Sequence, residues 1–413
     1  MKHQLLTLLL ACIALQATAQ KRVYIPEDLR GMNLESDTSQ WSWTRSAETR
    51  DLIFMWERGF GNDLQNPPAL EGKPMSFNLS VLMDRVQRFY TFFRDTLGFG
   101  NGTDGADGTA ATGSKADRYK MMVMVNYSLD GTAYGGTYDD FIGALWVAPN
   151  RIQDKTMNCM AHELGHSFQA QIPADSAGEA WGGSGFFEMA SQWMLWQVNP
   201  WWLRDENYHF KAFQQLTHKA FLHLDNIYHS PYVLQWWSDL HGRKFIAGLF
   251  RQGRRGEDPV DTYKRLCHLS QEQFCDELFR GYQHLVNLDF RHARTETRPY
   301  AATWTTPLDT LPGGWLRPKR LPEDYGFNII PLPYARHLPR VTVKGQSVRW
   351  ALVGIRHDGT AVYGTPQTSQ LEAKPADLRQ VFLVVMGAPA SHPSLKTFSD
   401  DGTTTFPYSF RCR

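Results

Sequence analysis

The sequence predicts an α+β protein with a mixed domain at residues 20–300, a linker at 301–324 and a small all-β sandwich at 325–413. Short apolar runs alternate with helical repeats in the first half of the chain, and helical periodicity continues over residues 207–292. The last part contains apolar runs that are separated by turns and show no helical pattern. A mixed domain followed by an all-β domain accounts for this order.

The first 19 residues have the pattern of a secretory signal peptide. Lys2 precedes an apolar stretch at residues 5–15 that is too short to span a bilayer, and the sequence Ala17-Thr18-Ala19 predicts cleavage after Ala19. We therefore expect a secreted or periplasmic protein. A lipoprotein anchored at Cys12 is less favoured, because the apolar segment continues past that residue.

Three apolar runs bounded by turn residues predict strands at residues 51–57, 120–126 and 142–148. Residues 79–97 carry apolar side chains at helical spacing and predict a long helix. The Gly- and Asp-rich segment 101–109 lacks the ligand spacing of a calcium loop, so we interpret it as a connection.

A zinc-binding pattern, H-E-L-G-H, occupies residues 162–166. On a helix, His162 and His166 lie on one face four residues apart, where both rings can bind one Zn²⁺ while Glu163 reaches the attacking water. An apolar stripe on roughly the opposite side supports a helix with one core face; its members are Met157, Met160, Leu164 and Phe168. The pattern predicts one catalytic zinc per chain.

Hydrolysis requires a third protein ligand and an open position on the metal. Glu188 is the candidate, because it follows a glycine-rich turn with Ser184 as helix N-cap and lies on an aromatic-rich helix. Glu179 is a rival in the intervening loop, but a helix fixes a ligand better than a loop. The metzincin pattern is excluded, since it requires Gly and His where this chain has Gln169 and Ile172.

Two histidines on one helix and a glutamate on a second resemble the gluzincins, the thermolysin-like zinc peptidases. The resemblance implies a zincin-like (thermolysin-type) domain with a sheet behind the metal helix and a helical subdomain after it. It also implies peptide-bond hydrolysis with Glu163 as general base and a Tyr or His from the later helical region as oxyanion donor. Tyr228, His229 and Tyr232 are the candidates, and the segment 228–242 resembles the family most closely if Tyr228 has that role.

The whole chain also looks like a secreted Bacteroidetes family with a gluzincin-like domain and a C-terminal β domain. The matching segments, besides residues 162–166, are F-M-W-E-R-G-F-G at 54–61, F-E-M-A at 187–190 and V-V-M-G-A-P at 384–389. Only the metal motif among them has a specific chemical meaning. Membership of such a family implies a zinc metallopeptidase and does not identify its substrate.

The later part of the chain predicts a helix opened by Pro231, with Tyr232, Trp236 and Leu240 on one face. Cys267 and Cys275 flank a helix start with a capping-box pattern, which leaves a disulfide and two reduced thiols equally open. Strands are then predicted at residues 340–344, 348–354 and 381–386.

The formal net charge of +1 gives no basic field for nucleic acid, and no later stretch of the chain is apolar enough to predict a transmembrane segment. The expected partner is a protein, peptide or glycoprotein substrate. An alternative is a glycan-binding or polysaccharide-associated protein with a structural or vestigial zinc site, with glycan contact through the C-terminal domain. Its motivation is a tryptophan cluster: Trp193, Trp196, Trp201, Trp202, Trp236 and Trp237.

Overall fold

The computed structural model describes residues 20–100, 113–131, 133–152, 155–176, 178, 181, 185–334, 337–393 and 403–413. The predicted signal peptide, the predicted connection at 101–109, Glu179 and the predicted N-cap Ser184 lie outside these residues. The described chain is a mixed α+β protein with three sheets. None of its described helices is both long and apolar enough to cross a membrane.

Along the chain, most of the helices follow the strands of the first sheet and precede those of the other two sheets. They are α1 (Glu27–Arg30), α2 (Leu79–Thr91), α3 (Pro149–Ile152), α4 (Asn158–Ala174), α5 (Phe186–Val198), α6 (Trp202–Asp205), α7 (Asn207–Leu216), α8 (Tyr232–His241), α9 (Phe245–Gln252), α10 (Pro259–Leu266), α11 (Gln271–Val286) and α12 (Arg294–Thr297). Where residues 79–97 predict one helix, α2 is followed by a π-helical turn at Phe92–Thr96.

The strands form three sheets, of which one precedes most of the helices along the chain and two follow them. They are β1 (Ser46–Glu48), β2 (Leu52–Trp56), β3 (Met121–Val125), β4 (Ala133–Tyr138), β5 (Ile142–Val147), β6 (Leu308–Leu311), β7 (Trp315–Pro318), β8 (Phe327–Leu332), β9 (Val341–Gly345), β10 (Val348–Arg356), β11 (Ala361–Tyr363), β12 (Leu378–Gly387) and β13 (Tyr408–Cys412).

The first sheet has the order β1-β2-β3-β5-β4, with β2, β3 and β5 parallel and the two edge strands antiparallel to their neighbours. The predictions of β2, β3 and β5 are confirmed to within one residue at each end. These strands are almost entirely apolar and buried, as expected for parallel strands covered on both faces. The sequence A-Y-G-G-T-Y of β4 has no apolar alternation, so pattern reasoning missed it.

Helix α4 lies against β4 and β5 and is fixed there by two polar contacts. The Ser167 hydroxyl donates to the carbonyl of Ala144 at 2.7 Å, and the Gly143 amide donates to the Gln171 side chain at 2.7 Å. Gly135 on β4 allows the closest approach, because a Cβ there would lie 1.8 Å from the main-chain oxygen of Glu163. The metal-motif helix therefore rests directly on the sheet edge.

We expect Gly135→Ala to lower the free energy of unfolding by about 3 kcal/mol, because the new methyl group would meet main-chain atoms that cannot rotate away. Gly136→Ala is the matched control. Its Cβ would meet only the side chain of Tyr134, at 3.0 Å, and that exposed side chain can move. Urea denaturation in the presence of a chelator measures both variants, and equal losses of stability would contradict the close contact at Gly135.

The helices α7 to α11 cover the region in which the sequence predicts continuous helical structure. The predicted face of α8 is only partly correct, because Tyr232 is buried while Leu240 is exposed. The capping box at the start of α11 is confirmed, with Ser270 and Gln273 in the two roles. Cys267 and Cys275 are free thiols in the described chain.

Tryptophans that motivated a glycan platform mostly belong to the core. Trp193, Trp196, Trp202 and Trp237 are completely buried, Trp236 packs against the same core and only Trp201 is substantially exposed. Aromatic rings that bind sugars must present a face to solvent, and four of these six rings have none. Four of the six tryptophans are therefore part of the core of the helical region.

The two later sheets have the orders β11-β10-β12-β8 and β6-β7-β13-β9, and a second apolar core lies between them. The segment 301–324, which the sequence predicts as a linker, contains β6 and β7, which pair with each other and, through β7, with β13. Side chains on β12 alternate between the two cores, as a strand period of two requires. Val381, Leu383 and Val385 face the second core, while Phe382, Val384 and Met386 face the helices.

Candidate metal centre

The metal-motif helix α4 has the apolar stripe that the sequence predicts. Met157, Met160, Leu164 and Phe168 are all buried. Met157 is the N-cap of α4 and the other three lie on its core side, so the two motif histidines project from a different side, toward α5.

The close crossing of α4 and α5 depends on Gly165, the glycine inside the H-E-L-G-H motif. A Cβ at this position would lie 2.9 Å from the Ser191 hydroxyl and 3.4 Å from the sulfur of Met194. The small residue thus lets the two helices approach. As a result the first turn of α5 places Glu188 over the two histidines.

Three donor atoms converge at this crossing. The carboxylate oxygen Oε2 of Glu188 lies 3.0 Å from His162 Nε2 and 3.1 Å from His166 Nε2, and the two nitrogens are 3.1 Å apart. Ligand atoms on a tetrahedral zinc at about 2.0–2.1 Å lie roughly 3.3–3.4 Å from one another. The three atoms therefore fit one zinc ion with a shift of only a few tenths of an ångström.

The centre is partly open to solvent, since the side chains of His162, His166 and Glu188 remain 12%, 15% and 26% exposed. Burial opposes the charged form of Glu188, but hydrogen bonds to the two histidines hold its pKa well below its usual range. Burial also lowers the pKa of His166, yet the hydrogen bond and charge of Glu188, with the nearby Glu163, raise it overall. Glu188 thus presents an ionised carboxylate beside the two histidine rings.

Gln169 orients the ring of His166. Its side-chain nitrogen donates to the Phe187 carbonyl at 3.0 Å and to the Ser191 hydroxyl at 3.1 Å, so its oxygen must face His166 Nδ1, at 3.1 Å. An amide oxygen only accepts hydrogen bonds, which requires the proton of His166 on Nδ1. His166 Nε2, which faces Glu188, is then the nitrogen left for a metal, which would replace the proton that Nε2 shares with the carboxylate.

Gln192 has the same relation to His162. Its nitrogen donates to the main-chain carbonyl of Tyr228 at 2.9 Å, and its oxygen faces His162 Nδ1 at 3.3 Å. Both metal-motif histidines are therefore oriented by buried carboxamides. Sequence reasoning found neither glutamine, and the only available signal was their helical spacing from His166 and from Glu188.

Glu163 and Tyr228 lie near the three potential ligand atoms. Glu163 is half-buried, and its charge reaches both His166 and Tyr228. The Tyr228 ring lies 6.1 Å from that of His162, and 43% of the residue is exposed. Burial of its hydroxyl, together with the charge of Glu188 and a hydrogen bond to it, raises the pKa of Tyr228 to about 12. Tyr228 is thus a protonated hydroxyl at the edge of the centre.

The structure does not bring the other two oxyanion candidates to the same place. Tyr232 is buried in the core, where its ring contacts Trp196 and Phe213. His229 is held by His209, with 2.6 Å between their Nδ1 atoms. Of the three candidates, Tyr228 is the one whose ring faces a metal-motif histidine.

A second group of potential ligands, Asp258, Asp261 and His392, lies between α10 and the segment after β12. Asp258 caps α10 through the amides of Val260 and Asp261, and its other oxygen lies 2.7 Å from His392 Nε2. His392 Nδ1 in turn lies 2.9 Å from the Tyr325 hydroxyl. These contacts describe a buried structural link rather than an accessible metal centre.

Comparison with known families gives one result. A family model described as "Family of unknown function (DUF6055)" matches residues 15–413 of this chain. Comparison with curated proteins gave no match, and neither did comparison with solved structures. The family description states no activity, so the functional argument depends on the geometry of the centre.

Proposed function

The chain belongs to the DUF6055 family, a family of unknown function, and we propose that it is a secreted zinc-dependent metallopeptidase. The observation that carries the proposal is the convergence of His162, His166 and Glu188 with both histidines oriented for binding through Nε2. Three protein ligands on a partly exposed centre are typical of catalytic zinc, whereas structural zinc has four.

A zinc ion bound there would polarise a substrate carbonyl and lower the pKa of a water molecule toward about 7. Glu163, whose charge reaches His166 and Tyr228, would take the proton of the attacking water and pass it to the leaving amine. The Tyr228 hydroxyl donates a hydrogen bond to the carbonyl oxygen as negative charge develops on it. His162, His166 and Glu188 would hold the ion.

The sheet beside α4 supports a peptide as substrate and a zincin-like fold for the first domain. Strand β4 is an edge strand, so one side of its backbone has no neighbouring strand in the described chain. An extended peptide can add to such an edge through main-chain hydrogen bonds. Because Gly135 places β4 against the metal-motif helix, a peptide paired with β4 would run past the centre. No observation gives similar support to the glycan-binding alternative.

The proposal is tested by incubating the purified mature protein with a proteome-derived peptide library and identifying the products by mass spectrometry. We expect cleavage that a chelator abolishes and that zinc restores. The variant His166→Ala serves as the control for contaminating proteases. Cleavage that persists equally in this variant, or no cleavage by a zinc-loaded wild type, would refute the peptidase assignment.

The role of Tyr228 gives a separate prediction. We expect Tyr228→Phe to lower kcat about 10²-fold, as loss of one oxyanion donor typically does, while the zinc content stays the same. Tyr232→Phe is the matched control, since the buried hydroxyl of Tyr232 has no hydrogen-bond partner in the described chain. An unchanged kcat for Tyr228→Phe would remove Tyr228 from the reaction and leave the metal centre intact.

A further inference from the structure

The side chain of Gln192 contacts three groups, of which His162 is only one. It is almost completely buried on α5, with its oxygen 3.3 Å from His162 Nδ1. Its nitrogen lies 2.9 Å from the main-chain oxygen of Tyr228 and 3.4 Å from His209 Nε2. One side chain thus joins a metal ligand, the loop that carries the proposed oxyanion donor and a second histidine pair.

The carbonyl of Tyr228 fixes the direction of every hydrogen bond in this group. A carbonyl oxygen only accepts, so the group of Gln192 that faces it must be the NH₂ group. The second hydrogen of that NH₂ group points to His209, whose Nε2 must therefore accept. A neutral imidazole carries one proton, which places the proton of His209 on Nδ1.

The same reasoning extends to His229. His209 Nδ1 lies 2.6 Å from His229 Nδ1, and two neutral rings can share only one proton at that contact. Because His209 supplies the proton, His229 accepts at Nδ1 and carries its own proton on Nε2. Burial, together with the charges of His229 and His162, lowers the pKa of His209 to about 3, which agrees with a neutral ring.

The main competitor for the His209 ring is Glu206. Its carboxylate oxygen lies 3.7 Å from His209 Nε2, beyond hydrogen-bond distance, and accepts from the Trp202 indole at 2.7 Å. A His209 ring protonated on Nε2 would instead direct that proton toward Glu206 and would lose its acceptor contact with Gln192. The two arrangements place the proton on different nitrogens, so experiment can separate them.

We propose that Gln192 is a positioning residue that sets the tautomers of His162, His209 and His229 and holds the Tyr228 loop at the metal centre. The part that concerns zinc rests on the proposed function. The order of the protons in His209 and His229 does not depend on zinc. Gln192 thereby orients the ring of the proposed ligand His162 and holds the main chain of Tyr228 through one side chain. It would contact neither the metal nor the substrate.

The test begins with wild-type protein labelled with ¹⁵N-histidine, with and without zinc. Two-bond ¹H–¹⁵N correlation spectra distinguish protonated from unprotonated ring nitrogens, and single His→Gln variants assign the signals. We expect the proton on Nδ1 in His209 and on Nε2 in His229 in both samples, and on Nδ1 in His162 in the zinc sample. A His209 ring protonated on Nε2 would overturn the proposal.

The variant Gln192→Leu then tests the positioning role, with Gln197→Leu as its matched control. Gln197 is also buried on α5, but its side chain bonds Gln235 and lies outside the metal centre. We expect zinc to bind 10–100-fold more weakly in Gln192→Leu, a typical loss when the partner of a metal-binding histidine is removed. The His209 proton should also move in this variant, and neither change should occur in the control.

The outcomes separate this proposal from the proposed function. Failure of the wild type to bind zinc would refute the metallopeptidase, whereas the tautomers of His209 and His229 would still test Gln192. Equal zinc affinities and unchanged histidine spectra in the two leucine variants would overturn the positioning role. If Gln192→Leu does not fold, the wild-type spectra still test the proposed tautomers of His209 and His229, since they require no substitution at Gln192.

Discussion

Replacing Glu163 by Gln is expected to lower the rate of peptide hydrolysis about 10²–10⁴-fold, the usual contribution of a general acid–base group. The amide has nearly the same shape as the carboxylate but cannot accept the proton of the attacking water. Glu163 is not among the three converging donors, so the variant should keep the zinc content of the wild type. Initial rates on a peptide from the library screen, together with metal analysis, measure both effects.

Glu272→Gln is the control for this experiment, because the Glu272 side chain is 81% exposed on α11. We expect it to retain wild-type activity. A Glu163→Gln protein that still cleaves at more than a tenth of the wild-type rate would exclude Glu163 as the base. Loss of zinc in that variant would instead mean that Glu163 helps to hold the metal.

Glu188→Ala should remove the stabilisation of the fold by zinc. A ligand that binds only the folded state stabilises it by about 4 kcal/mol at a concentration one thousand times its Kd. We therefore expect zinc to raise the unfolding temperature of the metal-free wild type by several degrees and to leave that of Glu188→Ala unchanged. Differential scanning calorimetry with chelator and with added zinc measures the difference.

His392→Ala is the control for this second experiment, because His392 belongs to the other group of potential ligands. The substitution breaks the contacts with Asp258 and Tyr325, so we expect a lower unfolding temperature overall. The rise produced by zinc should nevertheless remain. If that rise disappears in His392→Ala and persists in Glu188→Ala, the metal binds at the wrong place for the proposed chemistry.

Much of the first domain could be predicted from sequence because its signals are local. Buried parallel strands are continuous apolar runs, and the apolar stripe of α4 repeats with the period of a helix. Strand β4 escaped prediction because Gly135 and Gly136 replace the apolar side chains that mark a strand. Gly135 is explained only by its contact with Glu163, a long-range contact that no local pattern records.

The C-terminal strands also depend on long-range contacts that a local sequence pattern does not show. The apolar run of β12 predicts a strand, but its two-sided burial depends on α11 packing against one face of the sheet. Strands β6 and β7 contain few apolar residues in a row and become strands through pairing with each other and, for β7, with β13. A proline-rich composition therefore suggested a linker where the chain forms two paired strands.

For the candidate centre, the potential metal ligands could be predicted from the sequence, but the residues that orient them could not. The spacing of His162 and His166 is a property of any helix, so it could be found in the sequence. The choice of Glu188 required only that a second helix cross the first. Gln169 and Gln192 could not be found in this way, because a glutamine becomes an orienting group only through its contacts in the folded chain.

Metal content of the purified wild-type protein tests the central claim most directly. The protein is prepared in zinc-replete medium, dialysed exhaustively and analysed by inductively coupled plasma mass spectrometry beside His162→Ala and Glu188→Ala. The account predicts about one zinc per chain in the wild type and a large loss in both variants. A wild type without zinc, or variants that keep it, would contradict the account.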